Sequence, residues 1–359
     1  MNPAAQPGET IRVVPLRQLG AADRAAWAAL QEADPRLASP FFRPEFAELV
    51  AAVRDDVFVA VMECAGEAVG FFPFQRDARG VGGPVGGTLS DYQAVIARRD
   101  FSWDAVRLVR GAGLREWRFD HLLAAQEPFG LFHRILTESP VIDLSEGYAR
   151  YAEQRVRLLS EPRKRRKLER EVGPVRFEAH VADGGMLRTL MRWKGAQYEA
   201  GGKRNLFTLP WVAGVLERVQ AAQGAQFSGL LSVLSAGGEP VAAHLGLRSR
   251  TVWHYWLPTY NPAFAQYSPG MLLVLEMAAS AAALGVRTID FGKGRALYKQ
   301  RLANGTVALA EGVVPAAPLQ AACARTQGRV RALLRRGPVR HLRAALRKLR
   351  GGTPPAGDA

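Results

Sequence analysis

The chain has 359 residues, of which 48% are apolar, and these values are typical of two globular domains rather than of a disordered chain. No apolar run reaches the roughly 18 residues of a membrane-spanning helix. The longest, Met271–Gly285, contains Glu276. Cys64 and Cys323 are too few for a disulfide framework or a metal site. Because Met1–Thr10 also has no basic start and no apolar core, we expect a cytoplasmic protein that needs no metal.

The net charge of +15 comes from 48 basic and 33 acidic residues, and most of the excess lies in two stretches. Arg155–Arg170 contains eight basic and two acidic residues, and Arg325–Arg350 contains ten basic residues and no acidic one. Two local basic elements on a nearly neutral body indicate an acidic surface or substrate nearby. No nucleic-acid motif accompanies them, so DNA is not expected as a partner.

The first part of the chain alternates short strands with amphipathic helices. Hydrophobic periodicity predicts strands at Ile11–Leu16, Val57–Glu63, Ala68–Phe74 and Glu116–His121, and helices at Ala21–Ala33, Arg43–Val53 and Trp103–Gly111. A glycine-rich stretch, Gly80–Gly87, separates the hairpin from the third helix.

A basic helical stretch, Tyr151–Glu171, connects this part to a second unit that begins near Gly173. The predicted strands of the second unit are Val175–Val181, Gly229–Ser235, Val241–Arg248, Thr251–Tyr260, Arg287–Phe291 and Val307–Val313. Its predicted helices are Met186–Glu199, Trp211–Ala222, Pro269–Leu284 and Arg295–Leu302.

The two units resemble each other. Gly66–Val69 matches Gly238–Val241, Gly113–Phe119 matches Gly285–Phe291, and both offsets are 172 residues. A repeated offset favours an internal duplication at the scale of a domain over chance similarity. We therefore predict an N-terminal domain over residues 1–150, a basic helical connector over 151–172, a C-terminal domain over 173–316 and a basic tail over 317–359.

Several short motifs follow one another along the chain as one series. They are Gly82–Gly87, Ser90–Gln93, Trp256–Tyr260, Tyr267–Leu273, Asp290–Gly294 and Tyr298-Lys299. With the order strand, two helices, three antiparallel strands, helix, strand, the chain resembles the CelD-like branch of the N-acetyltransferase (GNAT) superfamily, found with bacterial cellulose and exopolysaccharide synthesis. FemAB-like transferases, with two such domains, are related. The resemblance implies an α/β (α+β) fold of two tandem GNAT-like domains, with mixed, mostly antiparallel sheets flanked by helices.

The start of the apolar helix is the candidate donor site. Ser268 suits the N-cap and Pro269 the first helical position, and the N–H groups and partial positive charge of a helix start can hold a pyrophosphate. The resemblance implies that Ser268, Pro269, Gly270 and Met271 bind acetyl-CoA there. Leu272 departs from the Gln/Arg-x-x-Gly-x-Gly/Ala pattern of the superfamily, so a different acyl donor is one alternative. The other alternative is an ordinary capped core helix that binds no ligand.

Asp290 is the predicted catalytic base, because it ends a strand where α/β folds place active groups. The alternative is a carboxylate that caps the following loop or pairs with Lys293 or Arg295. The resemblance implies that Tyr298 protonates the leaving thiolate, with core packing as the alternative. The offset of 172 pairs Asp290 with Arg118, so the second unit is the predicted catalytic one.

Five other side chains are candidate substrate contacts. They are Asp91, Tyr92, His244, Trp256 and Lys299. Lys299 would bind an acidic sugar or a phosphate, and Asp91-Tyr92 would lie at the cleft between the domains. His244, in mid-strand, can equally be a satisfied core histidine, and Trp256 a core aromatic residue.

The resemblance implies an N-acyltransferase that moves acetyl from acetyl-CoA to an amino group of a sugar or polysaccharide precursor. A FemAB-like aminoacyl-tRNA-dependent transferase is the alternative enzyme, with tRNA as its partner, and a degenerate GNAT scaffold is the alternative without activity. In the tail, apolar residues recur at helical spacing among arginines, which is typical of helices on an anionic membrane surface, of a disordered solubilising tail or of a segment packed on the body. Membrane contact would place the protein on the inner face of the plasma membrane.

Overall fold

The computed structural model describes residues 9–294 and 296–336. Within these residues the strands, numbered in chain order, are β1 Glu9–Pro15, β2 Val57–Cys64, β3 Glu67–Arg76, β4 Val81–Gly83, β5 Ile96–Ala97, β6 Glu116–Leu123, β7 His133–Asp143, β8 Val175–Glu178, β9 Phe227–Ala236, β10 Glu239–Ser249, β11 Val252–Tyr260, β12 Thr288–Asp290 and β13 Gly305–Pro315. The helices are α1 Ala21–Ala33, α2 Pro44–Ala51, α3 Ala105–Gly111, α4 Tyr148–Gln154, α5 Glu161–Glu171, α6 Gly184–Ala200, α7 Pro210–Ala221, α8 Pro269–Ser280, α9 Leu297–Leu302 and α10 Pro318–Arg336.

One sheet runs through both halves of the molecule. Its strand order is β1-β2-β3-β4-β6-β13-β7-β12-β11-β10-β9-β8, and β5 pairs beside this path with β3. The pairs β4–β6 and β11–β12 are parallel, and the other pairs of strands in this part of the chain are antiparallel. Each half repeats the order strand, two helices, strands, helix, strand, so the mixed α/β fold of two GNAT-like units predicted from the sequence is confirmed.

The halves exchange strands where they meet. β13, which follows the second half in the chain, lies between β6 and β7 of the first half. β7 in turn pairs with β12, and this pairing joins the two halves. β7 was not predicted from the sequence, because its pattern is irregular: Ile135 and Leu136 are exposed and Pro140 lies within the strand. The domain boundaries predicted above stay a prediction, and the exchanged strands cross them.

Helices cover both faces of the sheet because each strand presents apolar side chains to both sides. On one face, α1, α2, α6 and α7 cover a single core that extends through both halves and includes Trp27, Phe46, Leu190 and Val215. On the other face, α3 and α10 cover a core of the first half, and α4, α5, α8 and α9 cover a core of the second half. The shared core fixes how the halves meet.

Within residues 9–294 and 296–336, no helix has the length and apolar character needed to cross a membrane. α10 packs on the first half through the buried Ala321 and through an ion pair of 2.6 Å between Arg325 and Asp104. The remainder of the predicted tail, residues 337–359, lies outside the described residues.

Candidate functional site

The candidate site forms where the parallel strands β11 and β12 meet the first half. β12 has only three residues, and strand alternation buries Ile289 in the core while Thr288 and Asp290 point to the opposite face. The register places His254 of β11 directly beside Asp290. β7 from the first half pairs along the other edge of β12, with Val141 beside Asp290. Side chains from both halves therefore meet at the end of β12.

Asp290 is buried and bound by three donors. The Tyr92 hydroxyl donates to Oδ2 at 2.6 Å, the Ser139 hydroxyl donates to Oδ1 at 2.5 Å, and the Gly292 N–H donates to Oδ1 at 2.8 Å. Its side chain is 6% exposed. Burial of a carboxylate without such donors would cost several kcal/mol, so these bonds are what make the position tolerable. Tyr92 and Ser139 belong to the first half, and Asp290 therefore ties the halves together.

His254 lies between two carboxylates and is fully buried. Nε2 is 2.9 Å from Asp91 Oδ2, and Nδ1 is 3.6 Å from Asp290 Oδ1. A carboxylate only accepts, so Nε2 carries a proton and donates it to Asp91. The rings of Phe41 and Tyr92 meet the imidazole edge-on, with centroids 4.9 and 5.8 Å away. His254 was not predicted from the sequence. It could have been found by aligning β11 in parallel with β12, because this register places His254 beside Asp290.

Asp91 is the accessible end of this network, with 25% of its side chain exposed. Burial alone would raise its pKa, but the hydrogen bond from His254 and the positive charges of His254, His121 and Lys299 hold the pKa below its usual value. Asp91 is therefore a carboxylate at neutral pH. Gly292 has φ +69°, and a Cβ there would lie 2.9 Å from Asp91 Oδ2. Only glycine allows this approach.

Two of the predicted site residues lie just after β12, on α9. Lys299 Nζ donates to the carbonyls of Gly292 and Lys293 at 3.2 and 3.0 Å, so it braces the loop next to Asp91. Tyr298 is half-buried, and burial raises its pKa to about 12. The Tyr298 hydroxyl thus keeps its proton at neutral pH. Its ring meets Phe291 edge-on at 6.1 Å.

The strand β11 carries a bulge next to the site. Leu245 pairs with Leu257 but Leu247 pairs with His254, so β11 holds one extra residue. The Trp256 N–H donates to His244 Nε2 at 3.2 Å, and the Trp256 indole N–H donates to the Leu89 carbonyl at 2.9 Å. Burial lowers the pKa of His244 to about 3, so this ring is a neutral acceptor. Both side chains lie inside the core, and their contact with a substrate stays a prediction.

The start of α8 has the geometry of an anion site beside a cation. Ser268 occupies the position before the first turn with left-handed backbone angles (φ 53°, ψ 53°), and its hydroxyl caps no N–H of the helix. Lys164 Nζ of α5 lies 2.6 Å from that hydroxyl. Because a helix start carries a partial positive charge, the two together favour a negatively charged ligand.

The basic helix α5 packs along α8 rather than standing apart as a connector. Arg165 pairs with Glu276 of α8 at 3.1 Å, and Lys167 lies 5.7 Å from the Tyr267 ring centroid. These contacts position Lys164 over the start of α8. In the sequence, the basic residues of α5 and the start of α8 are separate features. The fold places Lys164 of α5 beside Ser268 at the start of α8.

A cleft of about 560 Å³ opens between the halves on the other side of the network. Asp290 and Tyr92 line its inner wall, and its rim carries both acidic and basic side chains, among them Glu32, Arg250 and Arg287. A volume of this size is typical of small-molecule sites. Of the predicted pair Asp91-Tyr92, Tyr92 lines this cleft, whereas Asp91 lies at the junction of the halves beside His254. Their contact with a substrate stays a prediction.

Comparison with known proteins supports the fold. Residues 162–300 match the family model of the acetyltransferase (GNAT) domain, which spans α5 to α9 and contains the start of α8, His254 and Asp290. A search of the curated proteins finds no match.

Among solved structures, FemX superposes with a TM-score of 0.58 at 9% identity, over 84% of this chain and 96% of its own. The C-terminal (DUF2156) domain of a protein from Agrobacterium fabrum, provisionally named a lysylphosphatidylglycerol synthetase, superposes with a TM-score of 0.51 at 12% identity, over 87% of this chain and 96% of its own. These likenesses show the fold. They do not bear on the CelD-like branch, which stays a prediction.

Proposed function

We propose that this protein is an N-acyltransferase that moves an acyl group, acetyl from acetyl-CoA, to an amino group of a sugar or polysaccharide precursor in the synthesis of exopolysaccharide or cell envelope. The match of residues 162–300 to the acetyltransferase domain supports the reaction class. The acetyl donor and the sugar acceptor come from the resemblance of the sequence to the CelD-like branch.

The observation that carries the proposal is the chain of groups Asp91, His254 and Asp290. Asp91 is a partly exposed carboxylate 2.9 Å from the buried His254 imidazole, and the Asp290 carboxylate lies 3.6 Å behind that imidazole, beyond hydrogen-bond distance. An accessible carboxylate with a lowered pKa, paired with a buried imidazole at the junction of the halves, supports a role in proton transfer.

We propose Asp91, rather than the predicted Asp290, as the base. Asp290 is buried and accepts hydrogen bonds from Tyr92, Ser139 and the Gly292 N–H, so we assign it to positioning the network. Asp91 is accessible and stays ionised, so it accepts a hydrogen bond from the neutral acceptor amine and stabilises the positive charge that develops on the attacking nitrogen. As the nitrogen bonds to the thioester carbon, its N–H becomes acidic and the proton passes to Asp91.

When the C–S bond then breaks, Tyr298 is the candidate to protonate the leaving sulfur, because its raised pKa keeps the hydroxyl protonated. No covalent enzyme intermediate is required. The donor pyrophosphate would lie at Ser268–Met271, and Lys164 would add a charge-assisted contact there.

Binding measurements test the proposal against its alternatives. We expect acetyl-CoA to bind in calorimetry and Gly270→Glu, which adds a side chain and a negative charge at the start of α8, to abolish binding with the fold intact. Binding of charged tRNA without acetyl-CoA would replace the proposal by the FemAB-like alternative. Binding of neither would leave a scaffold.

We also propose that the chain docks on anionic membrane through its basic C-terminal segment. In the described part of that segment, Leu319 and Val330 are 83% and 50% exposed on α10. Residues 337–359 contain five further basic residues and one acidic residue. Each basic residue near an anionic surface contributes about 1 kcal/mol to the binding free energy. Removal of residues 337–359, which spares α10, should weaken binding to vesicles with anionic lipid at least tenfold and leave activity in solution unchanged. Equal vesicle binding by both proteins would overturn this.

A further inference from the structure

The cleft of about 560 Å³ between the halves has no part in the proposed reaction. Tyr92 and Asp290 line its inner wall, but Asp91, His254 and Tyr298 are not among the described residues that line it. Other parts of the wall come from the end of α1 and from the residues just before β11 and β12. A cleft of this size can hold a small molecule, and the side chains along its wall indicate which kind.

Two arginines lie next to each other at one end of this cleft. Arg250 comes just before β11 and Arg287 just before β12, and these two strands run parallel. The Arg287 N–H donates to the Thr251 carbonyl at 2.8 Å, so Arg250 and Arg287 are neighbours across the strands. Both side chains line the cleft, and both residues are exposed. Within residues 9–294 and 296–336, neither guanidinium group forms an ion pair or a hydrogen bond.

The carboxylates that line the cleft, by contrast, already have hydrogen-bond donors. They are Glu32 with Arg43 at 2.6 Å, Asp34 with Arg36 and Arg99 at 2.6 and 2.8 Å, Asp143 with the Ser145 N–H at 2.9 Å, and Asp290 with Tyr92, Ser139 and the Gly292 N–H. A guanidinium group presents its N–H donors in a planar fork that fits two oxygens of a phosphate or carboxylate. The forks of Arg250 and Arg287 are therefore available to an anion from solution.

A buried amide oxygen without a donor belongs to the same end of the cleft. Gln226 lines the cleft, and its Oε1 is buried and has no hydrogen-bond partner among the described residues. Gln226 comes just before β9, and the pairing of Phe227 with Ser249 places it opposite Arg250. Because a buried acceptor without a donor is unfavourable, a hydroxyl or N–H group of a ligand would be stabilised there. This end of the cleft thus offers donors to an anion and, beside them, an acceptor to a hydroxyl group.

We propose that the cleft is a second ligand site, separate from the site of acyl transfer, and that it binds a small phosphate ester with free hydroxyl groups, such as a sugar phosphate. Arg250 and Arg287 hold the phosphate, and Gln226 accepts from a hydroxyl group. A phosphate is favoured over a carboxylate because it has enough oxygens for two guanidinium forks. The inference does not depend on the proposed function, since none of these three residues takes part in it.

Calorimetry with glucose 6-phosphate and the full-length chain tests the proposal. We expect one molecule to bind, and glucose, which lacks the phosphate, to bind at least tenfold more weakly. Arg250→Gln and Arg287→Gln should each weaken the binding of glucose 6-phosphate about ten- to a hundredfold, the range of one charge-assisted hydrogen bond. Arg176→Gln is the matched control, because Arg176 of β8 is also exposed and has no ion pair in the described part of the chain. Equal affinity in the wild type and both cleft variants, or no binding at all, would overturn the proposal.

A further variant separates this site from the start of α8, which also favours an anion. Lys164→Met should leave the affinity for glucose 6-phosphate unchanged, and Arg250→Gln should leave the affinity for acetyl-CoA unchanged. Loss of glucose 6-phosphate binding in Lys164→Met, with normal binding in the arginine variants, would assign the anion to α8 and refute the second site. An absence of acetyl-CoA binding would count against the proposed function alone.

The role of the amide oxygen is tested with sulfate, an anion that has no hydroxyl group to donate. Gln226→Leu should weaken the binding of glucose 6-phosphate about two- to tenfold, the effect of one neutral hydrogen bond, and leave the affinity for sulfate unchanged. Its free energy of unfolding should not fall in chemical denaturation, because the variant removes a buried acceptor that has no donor. An equal loss of affinity for both ligands would contradict the assignment of Gln226.

Discussion

The two halves treat the start of their central helix in opposite ways. In the first half, Asp104 caps α3 by accepting from the N–H groups of Val106 and Arg107, and Arg325 of α10 pairs with its second oxygen at 2.6 Å. In the second half, the start of α8 has no side-chain cap, and Lys164 lies beside it. One helix start is filled by the protein's own carboxylate, and the other has a lysine beside it and no such cap. Under the proposed function, the start of α8 is therefore the donor site.

The strands that follow these two helices also differ between the halves. Arg118 of β6, the sequence partner of Asp290, is 65% exposed and forms a surface pair with Glu116. Asp290 instead lies in the buried network. The first half compensates by supplying Asp91, Tyr92 and Ser139 to that network. The first half thus supplies side chains to the network of the second half, whereas its own counterpart of Asp290 lies at the surface.

The largest effect should follow from a change in the first half. Asp91→Asn removes the accessible carboxylate and should lower kcat by about 10²–10⁴, the usual contribution of a positioned base. Steady-state kinetics with acetyl-CoA affinity as the control measures this. Glu116→Gln, in the surface pair of β6, is the matched control and should keep normal turnover. Near-normal kcat for Asp91→Asn would return the catalytic role to Asp290 and to the second half.

The donor site offers a pair of variants on one helix. Lys164→Met should weaken acetyl-CoA binding about tenfold or more, because it removes a charge-assisted contact beside the start of α8. Lys167→Met removes the same charge one turn away, where the lysine contacts the Tyr267 ring instead. It should leave the affinity nearly unchanged. Equal losses in calorimetry would mean that α5 acts only through its overall charge.

The junction of the halves can be tested through stability. Asp290→Asn replaces one acceptor oxygen by an N–H₂ group among three donors, so one buried donor loses its partner. We expect the free energy of unfolding to fall by about 1–3 kcal/mol. Arg118→Ala, at the corresponding position of the first half, should change it by no more than about 0.5 kcal/mol. Chemical denaturation of both variants makes the comparison, and equal losses would show that the network adds no stability of its own.

The smallest effect sharpens the contrast between the helix starts. Asp104→Ala removes the cap of α3 and should cost about 0.5–2 kcal/mol of stability. It also removes the carboxylate that binds both the N–H groups at the start of α3 and Arg325. If the first half keeps the rest of a donor site, acetyl-CoA will then bind with a stoichiometry of two. We expect one, because the match to the acetyltransferase domain, residues 162–300, contains α8 and not α3.

Periodicity along the chain was enough to predict most of the secondary structure and the GNAT-like order of elements. Helix and strand periodicities are local, and the predicted hairpin, α1, α8 and β10 agree with the structure to within a few residues. β7 was not predicted, because the strands on both sides of it determine which of its residues are buried. Its own sequence shows no regular alternation of buried and exposed residues. The repeat at an offset of 172 was likewise visible in the sequence, and it identified Arg118 as the counterpart of Asp290.

Which side chains meet could not be predicted from the sequence, because it depends on how the two halves pack. Asp91 and His254 are 163 residues apart, and Tyr92 and Asp290 are 198 apart. Their contact depends on the pairing of β7 with β12 and on a core that the halves share. The sequence predicted Asp91, Tyr92 and Asp290 as separate candidates; burial then divided them into an accessible carboxylate and a buried one. Local periodicity fixes which face a side chain takes, but a buried position between two domains is a property of how their surfaces fit.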